Sequence, residues 1–565
     1  MTKKFIAFAL LAATTIQMSA RERSETEIFK AAANAIGNMP TMTGKLRATQ
    51  PMRVLARNSE LSVVGYAEGG FALVANDDVF KPVFGYSDSK YDGNAAPAFL
   101  WYVQSLNASL AEAKATGNMP KQVMPSAAYK ESVPEIMTCR WGQDAPYNLF
   151  TPTYTDRTTG QKVNYVTGCV ATAMAQILYT HKYPVKGEGD IIYDFAPGGG
   201  EPSQTLETDF SANTYDWANM LDIYKEGQYT ETQGKAVATI MRDCGYAVRM
   251  QYTKDGSGAF TTEACRALRT YLGCNQWIRH FYRDIINIDE WMDMIYRELN
   301  DGCPVLYGGQ STSGGHCFVI DGYDANGMVH VNWGWDGSQD GFFDIVSLNG
   351  YNAQQSFVEV RPATDTRYVG KYKSLWGLND DLIIDSGDNY ITVNQVWAYN
   401  YDVEEFTGTI LLQAENTETG KIVKLADVQR AEARPSLGYQ SIGQTSVFTN
   451  KLSNGTWRIY LASKADAEDE AQPLRTNENH CNSYLVTIRG GEIAKCDAEQ
   501  NSNWTAIDNV PTANNDAEST GVSVYNTLGN LVYRSANADF NINDVPATGV
   551  LMVKKGCNVT KIVKK

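Results

Sequence analysis

Beyond about residue 370 the helical periodicity of this chain disappears. Runs such as ITVNQVWAY, TGTILLQAE and GTWRIYLA alternate apolar and polar residues, and Gly, Asn and Asp separate them. Such spacing specifies short antiparallel strands, so the stretch from about 370 to 500 is expected to form a β-sandwich. Upstream the pattern is different. From Cys139 to about Pro362 helix and strand signals are mixed, which predicts an α+β unit. Apolar spacing there predicts helices at 169–181, 232–243, 261–271 and 288–300, and strands at 304–308, 316–322 and 328–333. One core cannot serve both patterns, and 565 residues at roughly 150 per domain give a prior of about four units.

The remaining segments follow the same logic. Residues 21–60 are partly helical in pattern. From Leu61 to Tyr86 apolar runs alternate with the turn clusters Glu68-Gly69-Gly70 and Asn76-Asp77-Asp78, which predicts strands. Residues 96–116 read as one amphipathic helix with Leu100, Val103, Leu106, Leu110 and Ala113 on its stripe. Residues 117–138 lack periodicity and read as a linker, as do the Asn-, Thr- and Asp-rich residues 501–520. The last segment, from GVSVYNTLGNLVYR to TKIVKK, reads as a small β unit with a basic end.

Lys3 and Lys4 precede an apolar stretch from Phe5 to Ile16, and the small residues Ser19 and Ala20 end it before Arg21. That is a signal-peptide pattern over residues 1–20, too short for a bilayer span. It predicts a secreted or cell-surface protein that passes through the periplasm. The formal charge of -15 opposes phosphate backbones, so no nucleic-acid partner is expected. Ten cysteines are scattered without a CxxC pair, which argues against a zinc ribbon and a disulfide scaffold. Cys244, Cys265 and Cys274 are near enough in sequence to pair. No metal or organic cofactor is implied.

The chemistry concentrates in Thr167-Gly168-Cys169-Val170-Ala171-Thr172-Ala173-Met174-Ala175-Gln176. Thr167 is expected to cap a helix whose first turn holds Cys169. A thiol there feels the positive helix end, which favours the nucleophilic thiolate. A lone cysteine is more often a buried structural residue, so a partner must be found. There are five histidines. His181 lies twelve residues along the same helix, roughly 18 Å away. His280 sits in a charged run and is expected to be solvated, and His480 lies in the β-rich region. His316, after Gly314-Gly315, and His330 remain. A hairpin symmetric about Asp324 places His316 opposite Asn332, which is then able to fix its tautomer. A rival turn at Asn326-Gly327 shifts that register, and His330 is the second candidate base. Acyl transfer also needs oxyanion donors, and Gln143 in WGQDAPYN is the candidate, against a plain surface-loop role.

TGCVATAMAQ, WGQDAPYN followed by LFTP, GGHCFVIDGYD and HVNWGWDG together resemble the streptopain family of secreted papain-like cysteine peptidases, over roughly residues 60–362. The signature around the papain nucleophile is absent, as in a distant branch. The resemblance implies Cys169 as nucleophile, His316 as base, Gln143 in the oxyanion hole, Asn332 orienting the histidine, and Trp333 and Trp335 shielding the pair. It implies a papain-like catalytic domain at 128–362 and an inhibitory propeptide at 21–127 that packs over the cleft. It implies protein or peptide substrates, no cofactor, and synthesis as a zymogen. A β-sandwich of Ig-like kind is expected at 363–505. The final segment, 516–565, resembles a type IX secretion sorting domain, with the secretion machinery as partner, against one more Ig-like module. Two other readings share the motifs: a Cys-His amidase or transglutaminase, and an inactive surface-binding protein.

Overall fold

The computed structural model describes residues 21–37, 51–91, 95–119, 121–197, 201–254, 256–311, 314–345, 353–365, 367, 374–499, 522–526, 531–535, 545, 549–555 and 558–564. The signal-peptide and 501–520 linker expectations lie outside the described residues.

The N-terminal segment forms helix α1 (Glu25–Gly37) and the meander β1 (Arg53–Arg57), β2 (Leu61–Gly65), β3 (Phe71–Ala75) and β4 (Val83–Ser87). Ile28, Ala32 and Ile36 recur every fourth residue and bury one face of α1 on Val64, Ala72 and Val74. Helix α2 (Pro97–Thr116) starts with proline in its first turn and stops at Gly117, whose φ is 78°. Its buried stripe runs through Phe99, Tyr102, Leu106 and Leu110. Val103, Leu106, Leu110 and Ala113 of the predicted stripe are buried and Leu100 is only partly so, while Phe99 and Tyr102 widen the buried face. The reason is tertiary: the two aromatic rings find partners, Trp333 and Phe343, in the following α+β unit.

In the α+β unit helices α3 (Cys169–His181), α4 (Glu231–Ala247), α5 (Thr261–Thr270) and α6 (Ile288–Asn300) fall where the periodicity put them. Strands β5 (His280–Tyr282), β6 (Val305–Ser311), β7 (Gly314–Tyr323), β8 (Val329–Asn332), β9 (Gly341–Phe343) and β10 (Ala353–Val358) join the meander in one ten-stranded sheet, in the order β1-β2-β3-β4-β9-β8-β7-β6-β10-β5. The seam is β4 on β9, where Phe342 pairs Tyr86 and Phe343 pairs Gly85. The N-terminal segment therefore extends the sheet edge. Among the described residues of the N-terminal segment, none lines the cleft described below.

From 374 to 499 the chain is β-rich, as its alternation predicts. Strands β11 (Trp376–Leu378), β12 (Val396–Asn400) and β15 (Gly438–Ile442) form one three-stranded sheet. The long strands β13 (Phe406–Asn416), β14 (Ile422–Ala433) and β16 (Gly455–Ala465) build a larger sheet with β17 (Ser483–Arg489) and β18 (Glu492–Ala498). Trp376, Phe406, Ile410, Trp457 and Val486 belong to one core between these elements. A separate compact unit holds four strands at 522–526, 531–535, 549–555 and 558–564 in an antiparallel sheet. Among the described residues, no helix is long and apolar enough to cross a membrane.

Candidate active site

Cys169 is the first residue of α3, and residues 170–179 of that helix are all buried. The helix packs on α4 and β7, so the thiol has a fixed position. Its N-cap is Gly168, not Thr167. Gly168 has φ of 89°, and a Cβ there would meet Met250 at 2.8 Å and Ser257 O at 2.9 Å, so only glycine fits. Thr167 is turned inward, its hydroxyl 2.8 Å from that of Thr172. Its N–H donates to the carbonyl of Gln143 at 3.1 Å, which brings the Trp141-Gly142-Gln143 segment beside the helix start. Gln143 is buried there.

His316 is the third residue of β7 and pairs Gly309 of β6, which has no side chain to crowd the imidazole. Its Nε2 lies 3.2 Å from the carbonyl of Trp333. A carbonyl only accepts, so Nε2 carries the proton and Nδ1 keeps a free lone pair. Trp333 is fully buried and is held in turn: its N–H donates to Asp340 Oδ1 at 2.9 Å and its indole to Gln339 O at 3.0 Å. The Asp340 carboxyl is pushed up to about 7 by burial. Trp335 is partly buried.

The hairpin register differs from the symmetric expectation. Val319 pairs Asn332 and Gly322 pairs His330, with a bulge between. The Asn326-Gly327 turn decides it: Gly327 has φ of 78° and donates to Asp324 O at 3.1 Å. Asn332 therefore does not sit opposite His316. Its Nδ2 donates to Cys139 O at 3.1 Å and its Oδ1 accepts from Gly334 N–H at 3.0 Å. It holds the segment that leads into Gln143, while the Trp333 carbonyl fills the place expected for it. His330 is buried elsewhere, with Nδ1 2.5 Å from Asp321 and Nε2 3.5 Å from Glu135. His280 is buried rather than solvated, with Nε2 3.0 Å from the Thr261 hydroxyl.

Cys169 and His316 line one cleft of about 940 Å³. Burial pushes the Cys169 thiol up, against hydrogen bonds from the backbone N–H groups of Cys317 and Val170. Burial pushes His316 down to about 4, against the bond to Trp333 O. Both shifts favour the uncharged pair, so the helix end alone does not make a resting thiolate. A proton acceptor beside the thiol is then essential. The opposite wall, Ser257 to Arg266, was not singled out from sequence. Its signal is the glycine-rich Asp255-Gly256-Ser257-Gly258 between two predicted helices. All nine cysteines described are free thiols, so none of Cys244, Cys265 and Cys274 is paired.

The Peptidase C10 family profile matches residues 141–343. Streptopain of Streptococcus pyogenes is 32% identical over 326 residues, covering 53% of this chain and 80% of its own. A thiol protease/hemagglutinin of Porphyromonas gingivalis is 32% identical over 367 residues, covering 59% of this chain and 41% of its own. The solved fragment of prointerpain A from Prevotella intermedia shares 37% identity with a TM-score of 0.50, covering 55% of this chain and 98% of the fragment. The glycine-started helix with its thiol, the histidine across one cleft from it, and this extent of likeness lead to one conclusion: the chain belongs to the Peptidase C10 family and is a cysteine endopeptidase made as a zymogen.

Proposed function

We propose that Cys169 is the nucleophile, His316 the base and acid, and Gln143 an oxyanion donor. The observation that carries this is the shared cleft of Cys169 and His316, with Nε2 of the histidine committed to Trp333 O. Nδ1 takes the Sγ proton as the thiolate attacks the peptide carbonyl. The oxyanion that forms is met by backbone N–H at the start of α3 and by the Gln143 amide. The imidazolium then protonates the leaving amine, which departs. Water, deprotonated by Nδ1, releases the thioacyl group, and the thiol is restored. Trp333 holds the histidine and walls it from solvent, with Trp335 beside it. Asn332 braces the Cys139 end of the oxyanion segment. Hydrolysis of denatured casein by the purified chain is the test. A thiol-alkylating reagent is expected to abolish it, and alkylation-insensitive turnover removes Cys169 from the reaction.

Gln143→Ala is expected to lower kcat by roughly a hundredfold with little change in KM, because oxyanion donors act mainly in the transition state. An unchanged kcat makes Gln143 an ordinary segment of the fold.

The domains follow the sequence reading: signal peptide 1–20, propeptide 21–127, peptidase domain 128–362, Ig-like β-sandwich 363–505 and sorting domain 516–565. The propeptide acts as inhibitor through the segment that holds the histidine's carbonyl partner. Phe99 and Tyr102 of α2 pack edge-on or tilted against Trp333 at 6.2 and 5.8 Å, and Gln339 accepts from Ala96 N–H at 2.7 Å. The protein is secreted or held at the cell surface, reaching it by way of the periplasm, with the C-terminal unit addressing the secretion machinery. A chain ending at residue 520 is expected to keep peptidase activity and stay in the periplasm. Cell fractionation decides it, and normal export makes the unit a plain β module.

A further inference from the structure

One wall of the cleft comes from outside the residues that the family profile matches. Pro435, in the turn between β14 and β15, lines the same cavity as Cys169 and His316. That turn is fixed. Ser436 and Leu437 hold left-handed φ values of 57° and 73°. Their N–H groups donate to Asp402 O and Asn400 O, each at 2.8 Å. The buried Asn400 amide donates to Glu404 O at 2.9 Å and Arg434 O at 3.2 Å. The β-rich region is also fastened to the cleft wall. Helix α5 supplies Thr261 and Arg266 to the cavity, and its Arg269 pairs Glu404 at 2.7 Å. Deeper, the largely buried Arg475 pairs Glu290 at 2.6 Å.

A ladder of rings leads outward from this wall. Tyr282 lines the cleft and meets Tyr401 at 5.4 Å. Tyr401 meets Tyr399 at 6.3 Å, Tyr399 meets Tyr439 at 6.3 Å, and Tyr439 meets Trp397 at 5.4 Å. Tyr401 is fully buried, so the rings surface only at the far end, where Trp397 is 42% and Tyr439 65% exposed. Tyr439 lies on the strand that follows the Pro435 turn. A pair of exposed, mutually packed rings marks an interaction site more often than a plain surface, and each such ring offers a large apolar area.

We propose that the open end of this ladder, Trp397 and Tyr439, is a substrate exosite, which takes an extended, apolar-bearing segment of the polypeptide whose scissile bond lies at Cys169. Continuity with the cleft along the surface turn from Pro435 to Tyr439 selects that occupant, and the inference rests on the Cys169–His316 reading. The rings bind and do no chemistry, so the effect falls on KM for long substrates alone.

The test uses the full chain after activation, comparing wild type with the double variant Trp397→Ala/Tyr439→Ala. Two substrates are used: denatured casein, and a short fluorogenic peptide that fills only the positions beside the scissile bond. The double variant is expected to lose about tenfold in kcat/KM on casein, through KM, with the short peptide unchanged. Trp397→Phe/Tyr439→Phe is expected to restore casein hydrolysis, which separates ring loss from misfolding. Equal behaviour of wild type and the alanine variant on casein, or equal loss on both substrates, overturns the exosite. Loss of retention on a soluble glucan with casein kinetics intact assigns the ladder to sugar and overturns it too. A wild type inert on both substrates overturns the Cys169–His316 reading, and the exosite with it.

Discussion

Chains carrying Cys169→Ala are expected to hydrolyse no casein and to accumulate at full precursor length. Removing the nucleophile of a group that works as a unit costs about six orders of magnitude in kcat, or about 8 kcal/mol of barrier. The fold has little reason to change, because a partly buried thiol becomes a methyl at the first turn of a helix held by ten buried residues behind it. Thermal melting should therefore match wild type. Processing is the second readout. Residues 118, 119 and 121–132 are largely exposed, but Val133 and Tyr323 exchange two backbone bonds of 2.8 Å, and Ile136 N–H donates to Asp321 O at 2.9 Å. The activating cut is thus expected ahead of Val133, where the chain is accessible to a protease. Wild type should lose about a hundred residues beyond Arg21 as activity appears. N-terminal sequencing decides the bond. Activity in the alanine variant removes Cys169 from the chemistry, and an active wild type still beginning near Arg21 removes the zymogen cut.

Helices were the most legible part of the chain. A 3.6-residue apolar period is a local property, so α3 and α6 appear at the predicted residues. That Cys169 opens a helix and His316 stands near the start of a strand was legible as well, because a cysteine before a small-residue run and a Gly-Gly-His start are local patterns, and the two line one cleft. What failed was relational. Whether Asn332 or the Trp333 carbonyl faces His316 depends on one hairpin register, and two turn signals three residues apart competed for it. Thr167 looked like a cap, yet glycine took the cap because Met250 and Ser257 leave no room for a Cβ. His280 stood in a charged run, but Arg279 and Arg283 turn to Asp402 and Glu478 and leave the imidazole inside. The N-terminal meander looked like a separate unit because sequence cannot announce which sheet edge it will complete. Pro435 reaches the cleft by the same kind of long-range packing, some 266 positions after Cys169.

The two candidate histidines are expected to separate cleanly by substitution. His316→Ala should abolish turnover and leave melting nearly unchanged, since the imidazole is at the cleft and bonded to the fold by one contact to Trp333. His330→Ala should do the reverse. Its loss strands the Asp321 carboxylate, fully buried and otherwise bonded through Oδ2 to Met137 N–H at 2.8 Å. Breaking a buried pair by removing one partner costs about 3 kcal/mol or more, so melting should fall by several degrees while the folded fraction keeps its kcat. The pH dependences differ in sign. His316 is pushed down to about 4, so its imidazole accepts a proton at any pH above that. In wild type kcat/KM should therefore fall only as pH drops through about 4, and an acid limb near 6.5 would mean a solvated histidine. His330 is raised above 6.5 by Asp321 and Glu135, although burial opposes this. A raised value stabilises the fold fully below pH 6.5, and that stability is lost as pH climbs through the folded value. Wild-type melting should decline over that rise, and the His330→Ala protein should lack this decline. If His330→Ala instead loses turnover and His316→Ala keeps it, the assignment of the base is reversed.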